Sequence, residues 1–489
     1  MRSRSWLQVL VGGVLGLSGV AGAQVAAPAA EVAEAVKAPA TWKPPAFRLL
    51  RQDENWSNLK DADPNTVPWL DRLHRLASNE QGDVWLGIGG SLRYRFESWR
   101  DFDFGAVGTA KADDSFSLLR ALLHADLHLG TDARVFVEGR TSQVANRDLP
   151  GGTRLADADS LDLNQGFVEL STEVADGLRF RAGRQSFAFG KQRLVSPLPW
   201  LNNWRSWDGV SADLKSGPWT YTALWTYLVD VDPNQFNEAD SDNLFWGLYA
   251  RRGPWAALDG AEFYALGIDR EAGLAGTSFN GTAGDTWRTT LGSRLWGQLD
   301  DGAVDWELEG AYQLGEVGEE NLCAWMLASQ LGYTLQDRVG KPRLFAGLDY
   351  ASGDRNSGGT VKTFDPVFPL AHAFHGYIDT IGRQNIIDGR VGVQWKPVER
   401  LSLGATLHGF WRAETGDAVY KANGAPIVGT AASVGREVGQ ELDLLATYQW
   451  NRHVELSAGW SRFFAGDAIE EATPGQDIEF VYLGLMLQF

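Results

Sequence analysis

Apolar and polar residues alternate with a period of two along most of this chain, from Trp85 to its last residue, Phe489. A β-strand turns successive side chains to opposite faces, so each alternating segment has one apolar face and one wetter face. In the last segment Val481, Leu483, Leu485, Leu487 and Phe489 share the apolar face, and Tyr482, Gly484, Met486 and Gln488 share the other. One face for lipid and one for a hydrated interior is the pattern of a transmembrane barrel strand. Segments of this kind are predicted at 84–100, 114–129, 133–145, 159–173, 178–188, 206–214, 218–229, 243–252 and 260–269. The series continues at 286–298, 303–314, 322–335, 341–352, 386–395, 401–413, 437–449, 453–463 and 478–489. Connections alternate between long (101–113, 146–158) and short (130–132, 174–177), and this alternation is read through to the end, with 353–385 and 414–436 the longest. The predicted fold is all-β: a transmembrane antiparallel β-barrel of about 18 strands (16–18). Short periplasmic turns, long extracellular loops and two periplasmic termini follow from the same pattern.

Parity then assigns each wall residue a side. Leu92, Tyr94 and Phe96 face lipid, which turns Arg93, Arg95 and Glu97 inward. Outward Leu119, Leu123 and Leu127 place Arg120, His124, Asp126 and His128 inside, and outward Val135 and Val137 do the same for Arg134, Glu138 and Arg140. The same counting directs Glu169, Arg294, Glu307, Glu309, Asp349, Arg390, His408, Arg412, Glu441 and Asp443 to the lumen. Arg179 and Arg181 also point inward. Arg184 then falls on the lipid side, unless a bulge near Gly183 shifts the register or the side chain reaches the headgroups.

The start of the chain predicts export. Arg2 and Arg4 precede an uncharged run from Trp6 to Gly22, and Ala21-Gly22-Ala23 is a small-residue cleavage site. A membrane anchor is the alternative; the glycine content and the A-x-A ending favour cleavage. The expected organisation is a signal peptide at 1–23, an Ala/Pro-rich linker at 24–45, a periplasmic segment at 46–83 and the barrel at 84–489. The segment before the barrel is too short for a plug domain of ordinary size.

Composition fits this picture. Gly 56, Trp 21 and 11% aromatics suit turns and interfacial belts. The mean hydropathy of −0.23 excludes a polytopic helical membrane protein, whereas a barrel needs lipid-facing residues only at alternate positions. Cys323 is the single cysteine, so no disulfide framework exists within the chain. The net charge of −18, or −20 once Arg2 and Arg4 are cleaved off, argues against nucleic acid as a partner.

Lumen charges have two readings. They pair across strands to keep a wet wall neutral, or a subset forms a constriction that selects the permeant. About ten arginines face inward against one strand-edge lysine, Lys341. The guanidinium fork donates two parallel hydrogen bonds to a carboxylate, so this bias favours a carboxylate-bearing substrate. Candidate substrate contacts are Arg93, Arg95, Arg120, Arg134, Arg140, Arg179, Arg181, Arg294, Arg390 and Arg412, with Glu169, Asp349, Glu441 and Asp443. The last strand is expected to close the barrel against Trp85 to Arg95. Its lumen face carries no charge, which leaves Arg93 and Arg95 room to meet a substrate and makes that seam the expected constriction.

Several motifs, taken in order, resemble the alginate export outer-membrane proteins: FRLLRQDENWSNLKD before the barrel, Ser91 to Glu97, Phe180 to Gln185, and Ala351 to Asn356. Phe364-Asp365-Pro366 through Gly382-Arg383-Gln384-Asn385, and Val438 to Leu444, complete the set. The resemblance implies a monomeric outer-membrane barrel of eighteen strands that passes an anionic uronate polymer outward through an arginine-rich constriction. Implied partners are the polysaccharide, outer-membrane lipid and periplasmic secretion proteins; no cofactor is implied. An uptake porin for small anionic or sugar substrates shares the same features. The loop at 364–375 departs from a polar spacer, being aromatic and Pro-rich, and reads as a plug at the barrel mouth, with gating as the alternative.

Catalysis is not expected. No G-x-S-x-G occurs, His408 has no serine beside it on its strand face, and Glu307 and Glu309 read as partners of Arg294. A metal site is not expected either. His372 and His375 lack an adjacent acidic or Cys pattern, and His124 and His128 lie roughly 13 Å apart along one strand.

Overall fold

The computed structural model describes residues 42–489 apart from 175, 256, 272–283 and 357. The expected signal peptide and nearly all of the linker lie outside the described residues. The strands are β1 (Ala77–Ser78), β2 (Val84–Arg100), β3 (Asp114–Leu129), β4 (Ala133–Ala145), β5 (Asp159–Thr172), β6 (Leu178–Gln185) and β7 (Trp207–Ser216). Next come β8 (Trp219–Asp230), β9 (Glu238–Arg252), β10 (Gly260–Arg270), β11 (Thr286–Leu299), β12 (Val304–Val317) and β13 (Glu320–Thr334). The last are β14 (Arg343–Ala351), β15 (Ile386–Val398), β16 (Leu401–Arg412), β17 (Glu437–Asn451), β18 (Val454–Ala465) and β19 (Ile478–Gln488). From β2 to β19 each strand pairs antiparallel with its sequence neighbour, and β19 pairs back onto β2. The result is a closed barrel of eighteen strands, which leaves no unpaired edge in lipid.

The lipid face is the predicted one. Leu92, Tyr94, Leu119, Leu123, Val137, Leu348, Leu407, Leu444 and Leu483 are exposed, whereas Arg93, Arg95, Glu97, Arg120, His124 and Glu138 on the opposite faces are buried. Trp395, Tyr448 and Trp450 at one end and Trp287 and Trp411 at the other are exposed outward, as interfacial aromatic girdles require.

Three expectations change. First, the alternation of connection lengths fails twice: the links at 231–237 and 253–259 are equally long, and the link after β12 is shorter than the one after β13. The link between β12 and β13 is only Gly318–Glu319, because the strands run on past their predicted ends and Gly318, at φ 59, makes a tight turn. Second, the seam is shifted. β19 pairs with Ser91–Arg100, from Gln488 opposite Ser91 to Glu479 opposite Arg100, and not with Trp85 to Arg95. The start of β2 is instead taken by β1, with Ala77 opposite Leu86. Gly484 does lie opposite Arg95, and Met486 opposite Arg93.

Third, Arg184 is buried within the wall network and does not face lipid. It pairs with Asp208 at 2.7 Å and Asp162 at 3.4 Å and donates to the Asn237 carbonyl at 2.7 Å. The parity break sits at Gly183, whose φ of 126° is closed to ordinary L residues. A Cβ there would also fall 2.2 Å from the Gly166 carbonyl oxygen. Gly183→Ala should therefore cost about 1–3 kcal/mol and lower the folded, heat-modifiable fraction on a refolding gel. A wild-type yield would remove the kink from the account.

Candidate functional site

A barrel of this strand number has a lumen wide enough for water. Here long loops enter it. Loop 186–206 lies across the arginines of β2 and β3. Arg93 donates to the carbonyls of Pro199 (2.8 Å), Trp200 (2.9 Å) and Leu201 (3.1 Å) and to Asn202 Oδ1 (3.1 Å). Arg120 donates to Pro199 (3.0 Å) and Leu201 (2.9 Å), and Arg95 donates to Trp200 (2.5 Å) with its guanidinium 3.9 Å from the Trp200 ring. Loop 352–385 meets the first loop in the lumen. Val195 and Phe368 form a parallel bridge, and His372 stacks on Trp200 at 3.9 Å. Phe187, Leu194, Phe364, Phe368 and Ile381 join wall residues Trp207, Phe245, Phe410 and Phe463 in one buried apolar cluster. The aromatic, Pro-rich stretch is thus packed inside the barrel.

The second loop is anchored to the wall strands β14, β15 and β17 by polar and charged contacts. Arg383 pairs with Asp349 on β14 at 2.8 Å, and His375 lies 3.2 Å from Asp388 on β15. Asp388 also lies 3.0 Å from His408 Nδ1 on β16. The Ile378 N–H donates to Glu441 at 2.9 Å and the Tyr377 N–H to Asp443 at 3.3 Å, both on β17. Burial, reinforced by the Arg383 charge, pushes the His375 imidazole down to about 4. Burial with Arg95 nearby holds His372 well below its usual value, so both loop histidines are neutral at pH 7.

The predicted residues fall into separate groups. Arg93, Arg95 and Arg120 stand together at the seam. Arg140 is tied to Asp159 (2.9 Å), Asn164 (3.0 Å) and the Trp204 carbonyl (2.8 Å). Arg134 is forked onto Asp126 at 2.6 and 2.8 Å. Arg181 pairs with Glu169 at 2.6 Å and Arg179 with Asp213 at 3.1 Å, near the periplasmic end. Arg294 bridges Glu262 (2.8 Å) and Glu307 (2.7 Å), and Arg390 pairs with Asp349 at 3.0 Å. Arg412 has 0% exposure and donates to the carbonyls of Thr415, Asp417, Thr430 and Ser433 at 2.8–3.1 Å. It staples its own loop and cannot touch a permeant.

The seam holds a cavity of about 300 Å³, lined by Arg93, Arg95, Trp200, His372, Tyr377 and Tyr482 among others. Arg93 and Arg120 have only neutral partners: among the described residues no carboxylate lies within ion-pair distance of either. Of the two, Arg93 lines the cavity, beside Arg95, which pairs with Glu97 at 2.6 Å, and Glu455, the one carboxylate in the lining; the unpaired Arg93 charge favours anions there. Trp200 and Tyr377, which line the cavity, and His375, Arg383 and Asp388, which fasten the second loop, were not picked out from sequence for these roles. Asp388 carried a signal, sitting two residues before Arg390 on the same strand face; the others reach the lumen only through loop folding.

His375 does have acidic neighbours. Asp349, His375 and Asp388 are buried with ligand atoms within 4.8 Å of one another. Arg383 and Arg390 already hold Asp349, so guanidinium groups stand where a cation would bind.

Closed antiparallel wall, outward apolar belt, aromatic girdles and charged lumen define an outer-membrane β-barrel channel. The family model described as alginate export matches residues 84–481, and the chain belongs to that family. No curated protein matches it in sequence. Similar solved structures include Pseudomonas aeruginosa OccK11 (OpdR), with 12% identity and a TM-score of 0.52 over 83% of this chain and 96% of that one. Acinetobacter baumannii OccAB1 gives 12% and 0.53 over 86% and 99%. Pseudomonas aeruginosa OpdK, solved with vanillate, gives 9% and 0.54 over 82% and 98%. At these identities the likeness shows the fold.

Proposed function

We propose that the protein passes a carboxylate-bearing polysaccharide, an alginate-like uronate polymer, out of the periplasm, with the seam arginines selecting for anions. The observation that carries this reading is Arg93, without an ion-pair partner, in the lining of a cavity with aromatic walls. Membership of the alginate export family supports the polymer. Aromatic faces suit the apolar faces of sugar rings, and the guanidinium charges attract the carboxylates.

A second reading is uptake of small anionic or sugar substrates. The modest cavity and the loops packed into the lumen favour it, as does the likeness to OpdK, which was solved with vanillate. Planar-bilayer conductance separates the two. The exporter should be anion-selective and blocked by uronate oligomers at low concentration; large cation-selective currents indifferent to uronates would sink both the arginine role and the polymer. Arg95→Glu should weaken or reverse the anion preference, and an unchanged reversal potential would remove Arg95 from the selective site.

A further inference from the structure

Residues 46–76 lie against the inward faces of strands at the periplasmic end of the barrel. Arg51, 6% exposed, donates to the carbonyl of Gly90 on β2 at 3.0 Å and to that of Phe489 at 2.9 Å. One guanidinium thus joins both edges of the seam, while Glu54 balances its charge at 2.6 Å. Arg134 on β4 donates to the Gln52 carbonyl at 2.9 Å, and the Gln165 amide on β5 donates to the Gln52 side chain at 3.0 Å. Fully buried Asp71 takes Arg452 at 2.7 Å from the tight turn between β17 and β18. His74 stacks on Trp56 at 3.6 Å.

The wall is shaped for this segment. A Cβ at Gly87, on the inward face of β2, would fall 2.5 Å from the backbone carbonyl oxygen of His74. One at Gly89 would fall 2.5 Å from the His74 ring. Any larger side chain at these positions would push the segment out of the lumen. The contacts are also of a kind that releases. Few apolar side chains of the segment are buried (Leu50, Trp56 and Val67); beside ring contacts such as Arg452 over Phe47 at 4.6 Å, the remaining ties are hydrogen bonds and ion pairs, of which the hydrogen bonds exchange for water at small net cost. A single connection at 77–83, with Gly82 at φ 68, joins the segment to β2.

We propose that residues 46–76 form a plug that narrows the periplasmic mouth at rest and swings out about the connection at 77–83 to admit substrate. This rests on the channel reading above, but its test needs only small ions. Two full-length variants release the segment from opposite sides: Gly87→Val from the wall, and Arg51→Ala/Asp71→Ala from the segment. Single-channel conductance in potassium chloride is compared with tryptic cleavage at Arg75, which is half-buried at rest, in the folded barrel. Both variants should be cleaved there faster than wild type and should conduct at least twofold more. Cleavage without a rise in conductance would overturn the plug and leave the channel reading intact. A segment that stays protected in both variants would show that these contacts do not hold it, and would overturn the proposal equally.

Discussion

Asp388→Ala should raise single-channel conductance and open-state noise by freeing the loop at 352–385. Asp388 has 0% exposure and serves three cationic or titratable groups at once: His375 at 3.2 Å, His408 at 3.0 Å and Arg390 at 3.4 Å. His375 is the member that belongs to the loop. Arg390 keeps its pairing with Asp349, so the loss felt by the loop is the buried His375 nitrogen left without its acceptor, about 1–3 kcal/mol. At about 1.4 kcal/mol per tenfold, that shifts the loop's packed-to-released ratio by about tenfold or more. The remaining ties, Arg383 to Asp349 and the amides of Tyr377 and Ile378 on Asp443 and Glu441, keep the loop near the wall. The expected signature is therefore flicker between two levels. Asp388→Asn keeps one acceptor oxygen where the two histidines use one each, and should be milder. A folded Asp388→Ala barrel with wild-type conductance and noise would show that His375 does not hold the loop.

Arg412→Met should detach the extracellular loop at 413–436 without opening the barrel. The side chain sits at the end of β16, and its terminal nitrogens reach carbonyls spread from Thr415 to Gly435. Each buried carbonyl left without a donor costs about 1–3 kcal/mol, so several together exceed the stability of any single loop. Lysine cannot substitute, since one ammonium lacks the planar fork that spans these acceptors. The β15–β16 and β16–β17 ladders are independent of the side chain and persist. Protease added outside intact cells should cut the variant within 413–436 and spare the wild type, while heat-modifiable migration is unchanged. Resistance equal to wild type would show that the loop is held by Glu471 on the Gly435 and Val434 amides instead.

Arg412 also shows where the reading of strands stops. Its inward direction was legible, because strand parity is set by the backbone of its own neighbours. Its role was not, since its acceptors belong to a loop that returns to it only after folding. Arg93 and Arg120 behave alike: parity turned them inward, yet their partners are carbonyls at Pro199 to Leu201, far along the chain. For Arg184, parity leaves a lipid-facing position, reaching the headgroups, or a shift near Gly183, and the positive φ at Gly183 decides for the inward side.

What the sequence by itself determined was the wall. The number of strands, the lipid and lumen faces and the outer-membrane class all follow from a period-two pattern, and that pattern is local. Tertiary structure alone decided what fills the wall. Which arginines keep an uncompensated charge, how His375 meets Asp388, and how Arg51 joins Gly90 to Phe489 depend on chain segments distant in sequence. Side-chain alternation is imposed by each residue's own backbone geometry, whereas the path of a loop is chosen by whichever buried acceptors and aromatic surfaces the closed barrel offers it.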